Sequence, residues 1–594
     1  MKIMMKTKRY IRSISILLSI ILLMQLCGCN ISVNTDPKSV EDKEDKEDKH
    51  ASANTIISEA EYPLYLTSMD NVSTIKLYFA DEDKDIPYID AETVKDLLEK
   101  FYHEINSDDG YKLTVSNDGD ITTFTRENTY TMHFDSDEDE ITFEDYDSFV
   151  TPSWSNTVID TLEHYGTIDY LQINDDRSYS RTGEDVEIDL EDYDIDIIGE
   201  DGKCYVPLQT VSDVLLALPC YVNLIYNGEA VYANELGLDQ NNDFLSNTYS
   251  AGKGNRSRAL ADFSYNELCM VMDHFYGLKE HQKIDEFDDF FDETGLKDRL
   301  LSEDSEESSK ALAEFLHVYI DDLHSFYLNN SYLTGKDFNP FDNFGSSYIT
   351  YVTTRGRFDK ARSEQYPDGV PSYEEIGNTA YVTFDEFDEL EKDADYYNEP
   401  PTADTKDTVG LLLYAFSQIT RQDSPVENVV FDLSLNGGGD QTTTCFMLSM
   451  ILGGSSMTVI DTQTGGYVHE CFKADANLDG VFDEKDSLAD YNLFCITSPL
   501  TFSCGNMAAS ELKYSNKVTM LGQTSGGGTC IVIPLTLADG TFFRVSSCRR
   551  MSHIKNGALY DIDLGVEPDI YIGKPSVFYD REALTKDLNS NLHY

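Results

Sequence analysis

From about residue 378 onward, short apolar runs alternate with longer segments whose apolar positions recur at three- and four-residue steps. Ala380 to Phe384, Val426 to Leu433 and Leu493 to Thr497 read as strands, and Val409 to Ile419, Thr442 to Leu452 and Cys504 to Tyr514 as helices. A brief apolar run bounded by turn residues suits a buried strand, whereas the longer spacing lays one helical face on a core. Strands and helices alternating in this order predict a mostly parallel sheet with helical crossovers. Upstream, Leu260, Phe263, Leu268, Val271 and Met272, then Leu312, Phe315, Leu316, Tyr319 and Leu323, keep helical spacing, so residues 255 to 330 are expected to be helical. Between about 61 and 235, short β-like runs alternate with turn residues and a weak repeat appears. Ile86-Pro87-Tyr88-Ile89 precedes Thr93-Val94-Lys95-Asp96-Leu97-Leu98, and Tyr205-Val206-Pro207-Leu208 precedes Thr210-Val211-Ser212-Asp213-Val214-Leu215. Each copy reads as strand, turn and short helix.

The ends change this picture. Lys2, Lys6, Lys8, Arg9 and Arg12 precede an apolar run from Ile14 to Leu26, and Leu26-Cys27-Gly28-Cys29 follows. The segment resembles a bacterial lipoprotein signal, which implies removal of residues 1–28 and a lipid on Cys29. The mature chain would then sit on the extracytoplasmic side of the cell membrane, held by that anchor, because nothing after Cys29 is long and apolar enough to span. Residues 29–60 carry Glu41-Asp42-Lys43 repeated through Lys49 and cannot bury a core, so they are expected to be a hydrated tether.

At 594 residues the chain is too long for one core and predicts two to four folded units. The net charge of −63 argues against nucleic acid, which needs Lys and Arg to replace phosphate counterions, and predicts a solvated acidic surface. Nine cysteines follow Cys29, with no C-x-x-C spacing. They are expected to serve as small buried apolar residues rather than as a disulfide framework.

Candidate chemistry lies in three separated segments. Phe494-Cys495-Ile496-Thr497 leads through Ser498-Pro499-Leu500-Thr501-Phe502 into Ser503-Cys504-Gly505-Asn506, which puts Ser503 at a helix start. Backbone N–H groups there favour developing negative charge, although a serine in that place also caps helices. Val429 to Leu435 opens into Asn436-Gly437-Gly438-Gly439-Asp440. Consecutive glycines let the backbone approach a ligand with its N–H groups inward, as an oxyanion hole requires. The third segment, Asp321-Asp322-Leu323-His324-Ser325, ends the helical region and supplies an imidazole.

Together these segments resemble the tail-specific or C-terminal-processing serine peptidases, in the branch that includes the tricorn core peptidases. The likeness covers about residues 260 to 575, through Asp322 to Ser325, Asp432 to Gly439, Thr501 to Ser503, Gly522 to Gly528 and Gly565-Val566-Glu567-Pro568-Asp569. It implies a ClpP/crotonase-like α/β core and hydrolysis of proteins or peptides through an acyl-enzyme on Ser503. His324 would be the base, and the N–H groups of Gly438, or a neighbouring glycine, and Cys504 would hold the oxyanion. Two departures matter. The branch with a Ser–Lys dyad has its lysine where this chain has Gly528. The acid that orients the histidine falls at Ile562, leaving Asp561 and Asp563 as flanking alternatives. The missing acid keeps open a second reading, a peptide-binding lipoprotein that retains the fold without turnover. The spacing from His324 to Ala380 is too short for a substrate-gating PDZ module.

Asp475, Asn477, Asp479, Val481, Asp483 and Asp486, with Gly480 at the sixth place, match the EF-hand-type calcium loop. Asp486 at the twelfth place resembles dockerin loops, and a structural calcium is expected. The 61–235 repeat resembles the small module at the N-terminus of copper amine oxidases, with no histidine cluster to hold a metal. The expected whole is a multidomain α+β chain. Tandem β-α-β modules span 61–235, a helical subdomain 255–345, and a peptidase core 373–575 with the calcium loop inserted at 475–486.

Overall fold

The computed structural model describes residues 54–590, apart from 83, 156, 160–167, 175, 237–242, 250–253, 336–337 and 556. Cys29 and the signal-like segment lie outside the described residues. Among them no helix is long and apolar enough to cross a membrane. The strand Ser58–Leu66 begins inside the expected tether, so ordered chain starts before residue 60.

The predicted crossover pattern folds into a six-stranded sheet. Its order is Tyr373–Ile376, Thr379–Thr383, Asn428–Asp432, Asn492–Thr497, Val518–Gly522 and Ile570–Tyr571, parallel throughout except for the first pair. Val382, Phe431, Cys495 and Met520 stand in register across it. Helices Thr408–Ile419, Gln441–Leu452 and Cys504–Tyr514 make the connections. Both faces are covered, which is why these strands read as continuous apolar runs. Val382, Phe431 and Cys495 enter one cluster with the crossover helices. Tyr381, Val430 and Ile496 enter another with Phe358 and Phe578. Eight of the nine described cysteines are buried and all nine are free thiols, as expected.

A second, antiparallel sheet carries the other side of the site. The long strand Phe542–Lys555 pairs with Phe326–Asn329, Ser455–Asp461, Cys530–Thr536 and Ala558–Asp561. The pairing Phe326↔Arg544 fixes the turn just before Phe326, where His324 sits. Residues 330 to 372, too short for a separate module, include the long helix Ser346–Gln365.

The two repeat copies do not stand as separate tandem units. Pro87–Asp90 and Lys203–Pro207 pair antiparallel, Tyr205↔Asp90 and Val206↔Ile89, at the heart of one seven-stranded sheet. Leu171–Ile173 and Tyr179–Arg181, also from this region, pair onto Tyr467–Ala474 of the antiparallel sheet. One apolar cluster joins Ile89, Val206 and Leu215 with Leu268, Leu312 and Phe315 and with Ile533, Phe543 and Val545. A small sheet with one apolar face must bury it on something, and here that partner is sequence-distant chain. The expected boundary near residue 235 therefore divides no core.

Candidate active site

Ser503 ends the turn between Asn492–Thr497 and Cys504–Tyr514, at the carboxyl end of the parallel strands. The turn is tied to the glycine loop. Ser498 Oγ donates to Ser434 O at 2.5 Å, Thr501 Oγ1 to Leu433 O at 2.6 Å, and Phe502 N–H to Asn436 O at 3.0 Å. These bonds hold Ser503 at φ 54°, ψ −125°, in the left-handed half of backbone space. Such a conformation costs a non-glycine residue about 1–3 kcal/mol and persists only where surrounding structure imposes it. Ser503 does not cap its helix with its side chain, so the hydroxyl is left to the cleft.

Gly438 faces it. With φ 107°, and with any Cβ falling 2.7 Å from Ser503 Cβ, that position admits only glycine. Its N–H, expected to face the oxyanion, instead donates to Asn436 Oδ1 at 3.0 Å. Gly439 bridges Phe387, which donates to Gly438 O and accepts from Asp440 N–H, both at 2.8 Å. The residue flanked by such a pair turns its own N–H and C=O to the opposite side. Gly439 accordingly lines the cleft with Ser503.

His324 lies in the same cleft, of about 590 Å³, walled also by Leu316, Tyr348, Tyr351, Phe502, Ile531 and Met551. Asp322 builds the turn that presents it. Its carboxylate accepts the His324 and Ser325 N–H groups, both at 2.8 Å, Ser325 Oγ at 2.6 Å, Ser546 Oγ at 3.1 Å and Tyr276 OH at 3.2 Å. Arg544 Nε donates to the His324 carbonyl at 3.0 Å. The imidazole packs edge-on against Phe502, centroids 4.8 Å apart. Burial holds its pKa down to about 4, against the opposing pull of Asp322 and Asp563. It is therefore neutral over most of the pH range. Its Nδ1 is buried and finds no hydrogen-bond partner among the described residues.

The two acid alternatives separate here. Asp561 pairs with His281 Nε2 at 2.9 Å and is not among the charges acting on His324, while Asp563 lies 3.9 Å from His281 Nδ1. Asp563 is near enough to act on His324 by its charge, but its Oδ1 accepts the Thr529 N–H and Oγ1 at 2.9 and 3.1 Å. Gly528 occupies the lysine position of the related dyad, and a Cβ there would fall 2.2 Å from Phe502 Cζ. The ring that packs against His324 fills the room a lysine would need. The remaining motif segments close around Ser503. Ser503 N–H donates to Gly527 O at 2.9 Å, Gly526 N–H to Thr501 O at 2.7 Å, and Val566 N–H to Ser525 Oγ at 2.7 Å.

Residues 378–572 match the model of Peptidase family S41. The C-terminal part of this chain carries an S41 peptidase domain. No curated protein matches the chain. Among solved structures it is similar to a photosystem II D1 C-terminal processing protease, at 22% identity over 36% of this chain and 47% of that one, TM-score 0.26. A lipoprotein from Streptococcus agalactiae is similar at 15% identity over 57% and 98%, TM-score 0.34. The tricorn protease is similar at 11% identity over 88% and 48%, TM-score 0.32. The chain thus spans about half the length of the D1 processing protease it matches. Likeness at this level says nothing of activity or substrate.

The calcium-type loop of the S41 domain lies outside the cleft. Gly480, at φ 79°, makes the sharp turn that the spacing requires. Asp475 accepts the Gly480 N–H and Tyr397 OH at 2.8 and 2.9 Å. Asn477 Oδ1 accepts Asp479 N–H, and Asp479 Oδ1 accepts Val481 N–H. Asp486 accepts the N–H groups of Asn477 and Asp483, while Asp483 pairs with Lys485. The all-oxygen donor set suits calcium, yet among the described residues no three carboxylates converge at metal distance. Sequence reasoning reached Gly439 only as a glycine neighbouring Gly438, and it did not single out Phe502 or Arg544. Their parts depend on what the folded chain brings against His324 and Ser503, which no spacing reports.

Proposed function

We propose that this protein is a serine peptidase of the extracytoplasmic face, hydrolysing proteins or peptides through an acyl-enzyme on Ser503. The observation that carries the reading is Ser503 itself. Held at positive φ at a helix start, against a glycine that tolerates no side chain, it shares one cleft with a neutral imidazole. Ser503 Oγ attacks the scissile carbonyl, its proton passes to His324, and His324 returns that proton to the leaving amine. The developing oxyanion is held by the Gly439 and Cys504 N–H groups, the second aided by the helix N-terminus. Gly438 contributes the close approach rather than a donor. Asp322, and less strongly Asp563, favour the imidazolium by their charge, and of the two acid alternatives Asp563 is the one that does so. Replacing Ser503 with Ala should abolish both fluorophosphonate labelling and cleavage of an unfolded protein. A wild-type chain that never labels and never cleaves would refute the assignment.

One observation favours a second reading, a lipoprotein that grips peptides without turnover: His324 Nδ1 has no acid bonded to it. Tight binding of a peptide recovered intact would select that reading. In either case we infer a lipid on Cys29. Cys29→Ala should move the protein from the membrane fraction to the medium, and unchanged membrane retention would exclude the anchor. We also infer that Asp475, Asn477, Asp479, Asp483 and Asp486, with the Val481 carbonyl, hold a calcium ion whose chemistry is structural, bracing the loop by oxygen coordination.

A further inference from the structure

The N-terminal sheet reaches the cleft at one place. Strands Val222–Tyr226 and Val231–Glu235 end there, with Val222 and Glu235 in register, and deliver Tyr221, Glu235 and Leu236 to its wall. The Glu235 carboxyl is half-buried and has no hydrogen bond or ion pair among the described residues. Burial alone raises its pKa, and no neighbouring cation offsets that effect. Arg544, also in the wall, is held at the His324 carbonyl, and the carboxylate that acts on it is Asp322. A half-buried carboxylate without a partner is an expensive thing to keep, and in a binding cleft it is matched by a cation the ligand brings. Tyr221 and Leu236 flank it with surface on which the methylene stem of a long basic side chain can lie.

Resting on the peptidase reading above, we propose that Glu235 selects a lysine or arginine side chain of the peptide held in the cleft. The N-terminal sheet is then part of the substrate site and supplies its charge recognition. The overall negative charge attracts any cationic peptide, but that field is screened by salt and is not tied to one residue.

The test uses the inactive Ser503→Ala chain and two peptides that differ only by arginine against citrulline, which keeps the shape and loses the charge. The arginine peptide should bind about tenfold to a hundredfold more tightly. Glu235→Gln should reduce that ratio to about twofold, and Glu235→Lys should turn preference toward a glutamate-bearing peptide. The exposed Asp96→Asn control should leave the ratio as it was. In the active chain the same ratios should appear in kcat/KM. Equal binding of the two peptides, or a ratio that Glu235→Gln does not alter, would overturn the proposal. Because the main arm measures binding, it decides the role of Glu235 even if no peptide is hydrolysed, an outcome that would count against the peptidase reading alone.

Discussion

Phe502 is the residue through which the proposed nucleophile and base are related. It precedes Ser503, packs its ring against His324, and occupies the space a side chain on Gly528 would need. A lysine at position 528 is therefore sterically closed to this chain, and in the proposed mechanism the imidazole takes the serine proton. Its environment sets the pH dependence. Burial disfavours the imidazolium, so the base stays neutral well below the ordinary histidine value, down to about 4. Catalysis needs the neutral form, so the acid limb of kcat/KM should fall near that value. A limb close to the ordinary histidine value, about 6.5, would mean that His324 is solvated in the working enzyme. The sequence made Ser503, His324 and the glycine loop legible because each carries a local signal: a strand end, a run of glycines, a histidine after a helix. Phe502 carries none, being one aromatic among thirty phenylalanines.

At the scale of elements, the crossover helices and strands fall within two residues of the sequence reading, because each has a periodic apolar face. The helix Ser346–Gln365 escaped it for the converse reason. Phe358 is its one buried residue, and the remaining positions show no apolar stripe. What starts that helix is Asp321, which accepts the Ser347 and Tyr348 N–H groups at 2.7 and 3.3 Å. Tyr319 misses its expected burial because the last turn, Phe315–Ile320, widens to i→i+5 bonding and rotates it outward. The loop from Asp475 to Asp486 is legible by spacing alone, while its ligand is a matter for measurement. Saturating calcium should raise the melting temperature by about a few degrees, as a ligand binding only the folded state does. EDTA should reverse the gain, and Asp475→Ala should remove the response; an equal melting point with and without calcium would exclude the ion.

Over the whole molecule, the N-terminal sheet, the helical region and the antiparallel sheet close on one core. At their junction Gln209 Nε2 donates to Thr536 O and to Asp213, which stands near Glu267, itself bonded to Thr210. Burial raises both carboxyl groups, and Glu267 raises Asp213 further. The folded chain thus keeps protons that the unfolded chain releases. The stability these protons confer is complete below the ordinary carboxylate range and is lost as pH rises through the raised folded values. Asp213→Asn should flatten the decline in melting temperature between about pH 5 and about pH 8. An unchanged slope would mean that this pair does not set the pH response.

The sequence by itself determined the parallel sheet, its crossovers, the turn that carries Ser503 and the glycine loop facing it. Periodicity and turn chemistry are written within a few consecutive residues. Tertiary structure alone decided that Gln209 meets Thr536, 327 residues away, that Phe502 stands where a lysine would reach, and that Asp563 rather than Asp561 lies near His324. Such outcomes rest on which buried faces find each other, and a contact of that kind leaves no period in the chain.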